Sequence, residues 1–300
     1  MLFIYRCDAT KEKEVVDLTE TIVSMDWVAK HLNDPRLCLI DCRFALGDPE
    51  AGRRAYRQGH LPGALYLDLE KDLSGPVREH GGRHPLPDIE ILARKLGEIG
   101  IDENSHVAAY DDQGGAMASR LWWLLTYLGH DCVSVMNGTF SQWQKAGYPV
   151  TTEIPATNSR HFPPHPRPHM LASMEEVKQK LHQATTVLVD SRDEKRYLGE
   201  EEPVDPVAGH IPGARHFFWK QVQDQNGNWK NAAQLRDHFS PLSTANEIIV
   251  YCGSGVTATP NILALKEAGY KNVKLYAGSW SDWISYSDNP IARGKETDRQ

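Results

Sequence analysis

The chain repeats itself, and that repetition restricts its fold more than any other feature. Leu39-Ile-Asp-Cys-Arg43 returns as Leu188-Val-Asp-Ser-Arg192, and Gly59-His-Leu-Pro-Gly-Ala64 returns as Gly209-His-Ile-Pro-Gly-Ala214. Val107-Ala-Ala-Tyr-Asp111 returns as Ile248-Ile-Val-Tyr-Cys252, and Asn137-Gly-Thr-Phe-Ser-Gln-Trp143 as Ala277-Gly-Ser-Trp-Ser-Asp-Trp283. The four pairs keep their order at an offset of 140 to 150 residues, so the 300-residue chain is a tandem duplication. Within each copy, short β-rich runs alternate with longer amphipathic stretches such as Ile89–Leu96 and Ala118–Leu128. The runs are Leu37–Asp41, His106–Tyr110 and Cys132–Val135, then Val187–Asp190, Glu247–Tyr251 and Val273–Tyr276. That alternation predicts an α/β fold built twice, each unit a mostly parallel sheet with helices on both faces. The expected units are residues 1–150 and 171–300, joined by an extended surface linker over 151–170 that is rich in Pro, His and Arg.

Composition removes several function classes. Apolar residues make up 40% and charged residues 24%, with a formal net charge of -7 and both signs interspersed, so no basic face for nucleic acid is expected. The apolar start, Met1 to Tyr5, is too short for a signal peptide core, and no apolar run is long enough to span a membrane. Cys7, Cys38, Cys42, Cys132 and Cys252 are odd in number and scattered, which fits a reducing cytoplasm better than a disulfide framework. None of the 13 histidines falls in zinc-ligand spacing, so no metal is expected.

Duplicated units share their structural residues, so their differences point to chemistry. At the end of the central strand the first copy has Asp111 and the second has Cys252. The segments that follow are Asp112-Gln-Gly-Gly-Ala116 and Gly253-Ser-Gly-Val-Thr257. In the second copy a buried strand runs into a glycine-containing turn and then a helix beginning near Thr257 to Pro260, where an early proline is well tolerated. Gly253 and Gly255 are read as letting the backbone bend, so that amide N–H groups converge at the positive end of the helix dipole. Both effects would lower a cysteine's pKa from about 8.5 and make Cys252 a nucleophile. By the same comparison, His60 and His210 read as structural because both copies carry them. Asp41 with Arg43 and Asp190 with Arg192 read as buried pairs, and Trp122, Trp123, Trp143, Trp280 and Trp283 as core. His84 has no counterpart in the second copy, Gly278 and Ser279 are expected to border the site, and Glu200–Glu202 reads as a solvated loop.

The paired Gly-His-Leu/Ile-Pro-Gly-Ala motifs, the loop Cys252-Gly-Ser-Gly-Val-Thr-Ala258 and the closing Gly278-Ser-Trp-Ser-Asp-Trp283 together resemble the tandem-domain rhodaneses, the thiosulfate/3-mercaptopyruvate sulfurtransferases. The resemblance runs from about Ile22 to Ile291. It implies a catalytically silent first domain, with Asp111 at the cysteine position, and a persulfide on Cys252 cradled by the amides of Gly253, Ser254, Gly255, Val256 and Thr257. It implies no cofactor beyond that covalent intermediate. Thiosulfate-type relatives place Arg and Lys after the cysteine, whereas Gly253 and Ser254 are similar to the mercaptopyruvate type. The resemblance therefore implies 3-mercaptopyruvate as donor, with thiosulfate the alternative. It further implies a proton relay of Ser254, His84 and an acid aligned with Glu70, where relatives usually carry Asp, so that Asp68 is a second candidate. Arg196 matches the arginine that grips the donor carboxylate. A second such arginine is missing from Gly199 to Ala208.

Two other classes compete. A cysteine phosphatase would need an arginine closing the loop, where this chain has Ala258. A catalytically silent binding or regulatory module would not need the intact Cys252 loop. The acceptor stays open among thioredoxin-like thiols, low-molecular-weight thiols and cyanide.

Overall fold

A computed structural model describes residues 20–181 and 183–296; Cys7 and the apolar start lie outside them. The first copy runs β1 (Ile22–Ser24), α1 (Met25–His31), β2 (Leu37–Asp41), α2 (Ala51–Gln58), β3 (Leu65–Tyr66), α3 (Ile89–Glu98), β4 (His106–Tyr110), α4 (Ala116–Tyr127), β5 (Val133–Asn137) and α5 (Phe140–Lys145). The second repeats it as β6 (Leu171–Ala172), α6 (Met174–Lys180), β7 (Thr186–Asp190), α7 (Glu194–Leu198), β8 (Arg215–His216), α8 (Ala232–His238), β9 (Glu247–Tyr251), α9 (Thr259–Glu267), β10 (Val273–Tyr276) and α10 (Ser279–Trp283). Each sheet has five parallel strands, ordered β1-β5-β4-β2-β3 and β6-β10-β9-β7-β8. The edge strands β3 and β8 have two residues each, too few to show an alternating pattern in sequence. No helix among the described residues is long and apolar enough to cross a membrane.

Every residue of β4 and β9 is buried, as expected for central strands covered on both sides. Side chains alternate between faces along a strand. Ala108 and Tyr110 therefore join one cluster with Trp143, while Ile249 and Tyr251 join the matching cluster with Trp280 and Trp283. The opposite set, Val107 and Ala109 with Ile248, Val250 and Cys252, belongs to a single core that crosses both copies, where α4 packs on α9. Asp111 and Cys252 each follow the last residue of a central strand, and Cys252 belongs to that shared core. The chemistry of the two copies is thus set at their common boundary.

The repeated motifs do the same structural work twice. Arg43 pairs with Asp41 at 2.6 Å and reaches the Gly59 carbonyl; Arg192 pairs with Asp190 at 2.6 Å and reaches the Gly209 carbonyl. His60 stacks on Tyr56 and His210 on Tyr197, each pair of ring centroids 3.9 Å apart. All five tryptophans expected in the core are buried. The stretch between the copies is mostly without regular structure and follows the first copy as far as Arg167, its Arg160 N–H bonding the Gly97 carbonyl and its His165 N–H the Leu128 carbonyl; Pro168–Met170 then turn onto β10.

Between β3 and α3, and again between β8 and α8, the chain makes a long excursion that reaches the other copy. Residues 80–84 of the first copy lie on α10: the Gly81 N–H donates to Asp282 at 2.7 Å, the Arg83 N–H donates to Ser281 Oγ, and His80 stacks on Tyr286. Gly82 has φ 78°, and a Cβ there would overlap the Gly278 carbonyl, so only glycine allows this approach. In return, residues 223–229 of the second copy cover the first copy's loop. The Trp229 ring packs on Gly115 and its backbone N–H donates to Asn137 Oδ1 at 2.9 Å, while Gln223 Nε2 donates to the Gly114 carbonyl.

Candidate active site

Strand β9 delivers Cys252 to the shared boundary, where it is only 1% exposed. Its N–H donates to Ser279 Oγ at 3.1 Å, and its carbonyl accepts from the Trp280 N–H. Ser279 is the one non-glycine among the described residues with positive φ, at 58°. Such backbone strain concentrates at functional sites. Ser279 therefore does border the cysteine.

The two loop glycines serve different ends. Gly255 has φ +76°, and a Cβ there would overlap the Ala277 carbonyl, so it provides the bend that was expected. Gly253 does not take a positive φ. A Cβ on it would lie 2.8 Å from an Arg83 nitrogen and 3.5 Å from an Arg196 nitrogen. Its lack of a side chain admits two guanidiniums beside Cys252, which corrects the reading of Gly253 as a bending residue. Val256 is buried and Thr257 half-buried at the loop's end, and Thr259 Oγ1 bonds the Val256 carbonyl to fasten the loop to α9.

The first copy supplies a buried histidine to the second copy's loop. His84 Nδ1 and Ser254 Oγ share a hydrogen bond of 2.7 Å between the copies, and both side chains are buried. Burial, and then the Arg120 and Arg83 guanidiniums, hold the imidazole down to about 4, so it is neutral near pH 7. The structure does not join Glu70 to this pair. Glu70 is exposed and makes no hydrogen bond to His84. Asp68 is buried, but its carboxylate is taken by the N–H groups of Glu70 and Lys71 and by Tyr66 Oη. Among the described residues no carboxylate stands behind the pair.

Arg196, on α7, which the family resemblance makes the donor-carboxylate arginine, lies beside Gly253, and its guanidinium is not free. It pairs with Glu202 at 2.8 Å and with Asp205 at 2.9 Å. Asp205 also holds Arg83, whose Nε lies 2.9 Å from Oδ1. Glu202 has a side chain only 4% exposed and bonds both Arg192 and Arg196, which corrects the reading of the whole Glu200–Glu202 run as solvated. Two arginines and two acids thus meet at the mouth with their charges balanced. Arg83, one residue before His84, is a member of this cluster that sequence reasoning passed over; its link to Asp205 spans 122 residues.

The first copy shows what such a loop can hold. The Asp41–Tyr110 and Asp190–Tyr251 registers make Asp111 the counterpart of Cys252. The Asp111 carboxylate accepts four backbone N–H bonds, from Gln113, Gly115, Met117 and Ala118, at 2.7 to 3.0 Å. Burial nonetheless raises its pKa. A loop of this design encircles an anion with amides.

Comparison with known proteins matches the rhodanese-like domain family at residues 24–146 and 173–286. A probable 3-mercaptopyruvate sulfurtransferase of Pseudomonas aeruginosa is 42% identical over 278 residues, covering 91% of this chain and 98% of the relative. A thiosulfate sulfurtransferase of Cricetulus griseus is 31% identical, covering 93% and 97%. The solved 3-mercaptopyruvate sulfurtransferase structure from Escherichia coli superposes with a TM-score of 0.75 at 32% identity, covering 88% of this chain and all of that one.

Proposed function

Because the chain belongs to the tandem rhodanese-like sulfurtransferases, we propose that it moves sulfur from 3-mercaptopyruvate to a thiol or cyanide through a persulfide on Cys252. The Cys252 thiolate attacks the donor sulfur. An S–S bond forms, and the electron pair of the broken C–S bond leaves with carbon as the enolate of pyruvate. The enolate takes up a proton and departs as pyruvate; the thiol proton of the donor goes to solvent, leaving Cys252 as an anionic persulfide. An acceptor thiolate or cyanide then takes the outer sulfur and restores the thiolate, which is covalent catalysis in two steps.

The His84–Ser254 hydrogen bond of 2.7 Å carries this reading. An enolate must be protonated at carbon, whereas thiosulfate would release sulfite, a stable anion that needs no proton. A neutral imidazole can pass a proton in at Nε2 and out at Nδ1, so Ser254 can donate its hydroxyl proton and recover another. The balanced charges around Arg83 and Arg196 support the same donor, because neither guanidinium at the mouth is left over for the second charge of a dianion. We assign catalysis to the second copy and silence to the first, with no dissociable cofactor, and a cytoplasmic setting in which thioredoxin-like or small thiols serve as acceptors.

Incubation with 3-mercaptopyruvate followed by intact-mass measurement tests the reading. Wild type should gain one sulfur, about 32 Da at a single nucleophile, and Cys252→Ser should gain nothing. No gain from either mercaptopyruvate or thiosulfate would sink it. A clearly higher kcat/KM for thiosulfate would transfer the donor assignment.

A further inference from the structure

Arg120 is fully buried on α4, and its surroundings do not explain why a charged residue stands there. No carboxylate among the described residues pairs with it. Its partners are four backbone carbonyls: Gly255 and His84 at 3.2 Å, Leu73 at 3.4 Å and Pro85 at 3.5 Å. All four bonds are longer than the usual 2.9–3.0 Å or so for N–H···O, and Nε has no partner. A guanidinium stays protonated even when buried, so an unpaired one is costly to the fold. A methionine of similar reach would fill the space without that cost.

Two further observations say what the charge faces. Gly255 belongs to the Cys252 loop, and His84 is the partner of Ser254, so one guanidinium ties together the segments that carry both. The second copy has no such cation: the matching position on α9 is Asn261, a neutral residue occupied with Ser191 Oγ and the Phe217 carbonyl. The charge thus exists only in the copy that lacks the cysteine, on the helix that packs against α9, and it points toward the copy that has it. We infer that Arg120 is the resident counter-charge of the Cys252 sulfur, lent by the first copy to the second, and that it positions the His84 and Gly255 segments around that anion. Burial lowers the guanidinium's pKa to about 10, and attraction to the Cys252 sulfur opposes that shift. Thiolate and persulfide are both anions, so one fixed cation serves every stage of the cycle. The inference rests on Cys252 being the nucleophile, and it adds the requirement that the first copy take part electrostatically.

Iodoacetamide alkylation of Cys252 near neutral pH, located by peptide mass mapping, tests this without any sulfur donor. The full chain is compared with Arg120→Lys, Arg120→Gln and Arg120→Met. The neutral variants should alkylate Cys252 at least about tenfold more slowly and Arg120→Lys within about threefold of wild type, since the thiolate is the reactive form. Arg120→Met should unfold at a temperature no lower than wild type, because it removes an unpaired buried charge. A Gln variant within about twofold of wild type, or a Lys variant as slow as Gln, would overturn the inference. So would a Met variant that fails to fold while the Gln variant keeps the full rate, since that would make Arg120 purely architectural. Failure of the enzyme reading looks different: alkylation would still depend on Arg120, but no donor would load sulfur.

Discussion

Asp205→Asn should turn the mouth of the site from charge-balanced to cationic while leaving its shape nearly intact. Asp205 lies 2.9 Å from Arg83 Nε and 2.9 Å from an Arg196 nitrogen, and its side chain is 2% exposed. Losing one partner of a fully buried pair costs about 3–5 kcal/mol. Here the arginine side chains are 30% and 18% exposed and can turn to water, which reduces the expected loss. A figure of about 1–2 kcal/mol follows, or roughly 3–6 °C in melting temperature for a chain of this size. The effect on donors has the opposite sign. One extra positive charge about 4 Å from a bound anion contributes about 1 kcal/mol per ligand charge in bulk water and more in a partly enclosed site. Thiosulfate carries one more charge than mercaptopyruvate, so the ratio of kcat/KM values should move toward thiosulfate by at least about fivefold. The assay is cyanide-dependent turnover with each donor at low and high salt. In about 1 M salt the shift should shrink, because the Debye length falls to about 3 Å. A ratio that moves less than twofold, or one that salt leaves alone, would refute the charge-balance argument.

Other expectations follow from the same geometry. Gly255→Ala should lower both melting temperature and turnover, since positive φ and the Ala277 carbonyl both oppose a Cβ. Gly253→Ala should fold normally but raise the donor KM, because its Cβ meets only the ends of two arginines; equal loss of stability in both variants would contradict this. His84 and His106 are both lowered to about 4, chiefly by burial, against about 6.5 in the unfolded chain. The unfolded state therefore binds more protons between pH 4 and 6.5, so stability is complete above 6.5 and falls by up to about 1.4 kcal/mol per pH unit per histidine below it. Equal urea midpoints at pH 5 and pH 7 would argue against that assignment. His84→Ala should slow pyruvate release far more than persulfide discharge, measured by single turnover, and equal slowing of both steps would remove His84 from the protonation role.

The repeat made most of the fold legible, because Ile248–Tyr251 and Val107–Tyr110 are continuous apolar runs and the Gly-His-Leu/Ile-Pro-Gly-Ala turns mark the same joint twice. The strands at the sheet edges were not legible: three or two residues, as in Ile22–Ser24 or Leu171–Ala172, carry no period, and only pairing with β5 or β10 defines them. In the site, Cys252 and His84 stood out because one copy has them and the other does not, and Ser254 stood out through the family resemblance. Arg83 and Arg120 differ between the copies as well, but each sits inside a stretch that reads as something else, a turn and an amphipathic helix. Their meaning lies in partners more than 100 residues away, Asp205 and Gly255. Glu70 shows the converse: alignment suggested a role, and an exposed position beyond reach of His84 does not bear it out in geometry.

The first copy's loop is closed twice, by Asp111 filling its ring of amides and by Trp229 and Gln223 lying over it. Lineages with this architecture therefore face a ratchet. Restoring a thiol at position 111 would take a single substitution, but that thiol would sit sealed beneath the neighbour's indole. Opening the seal first would leave a buried carboxylate with no use. Neither step helps without the other, so descent from a duplicated ancestor can keep the two halves unequal even where no selection favours the inequality itself.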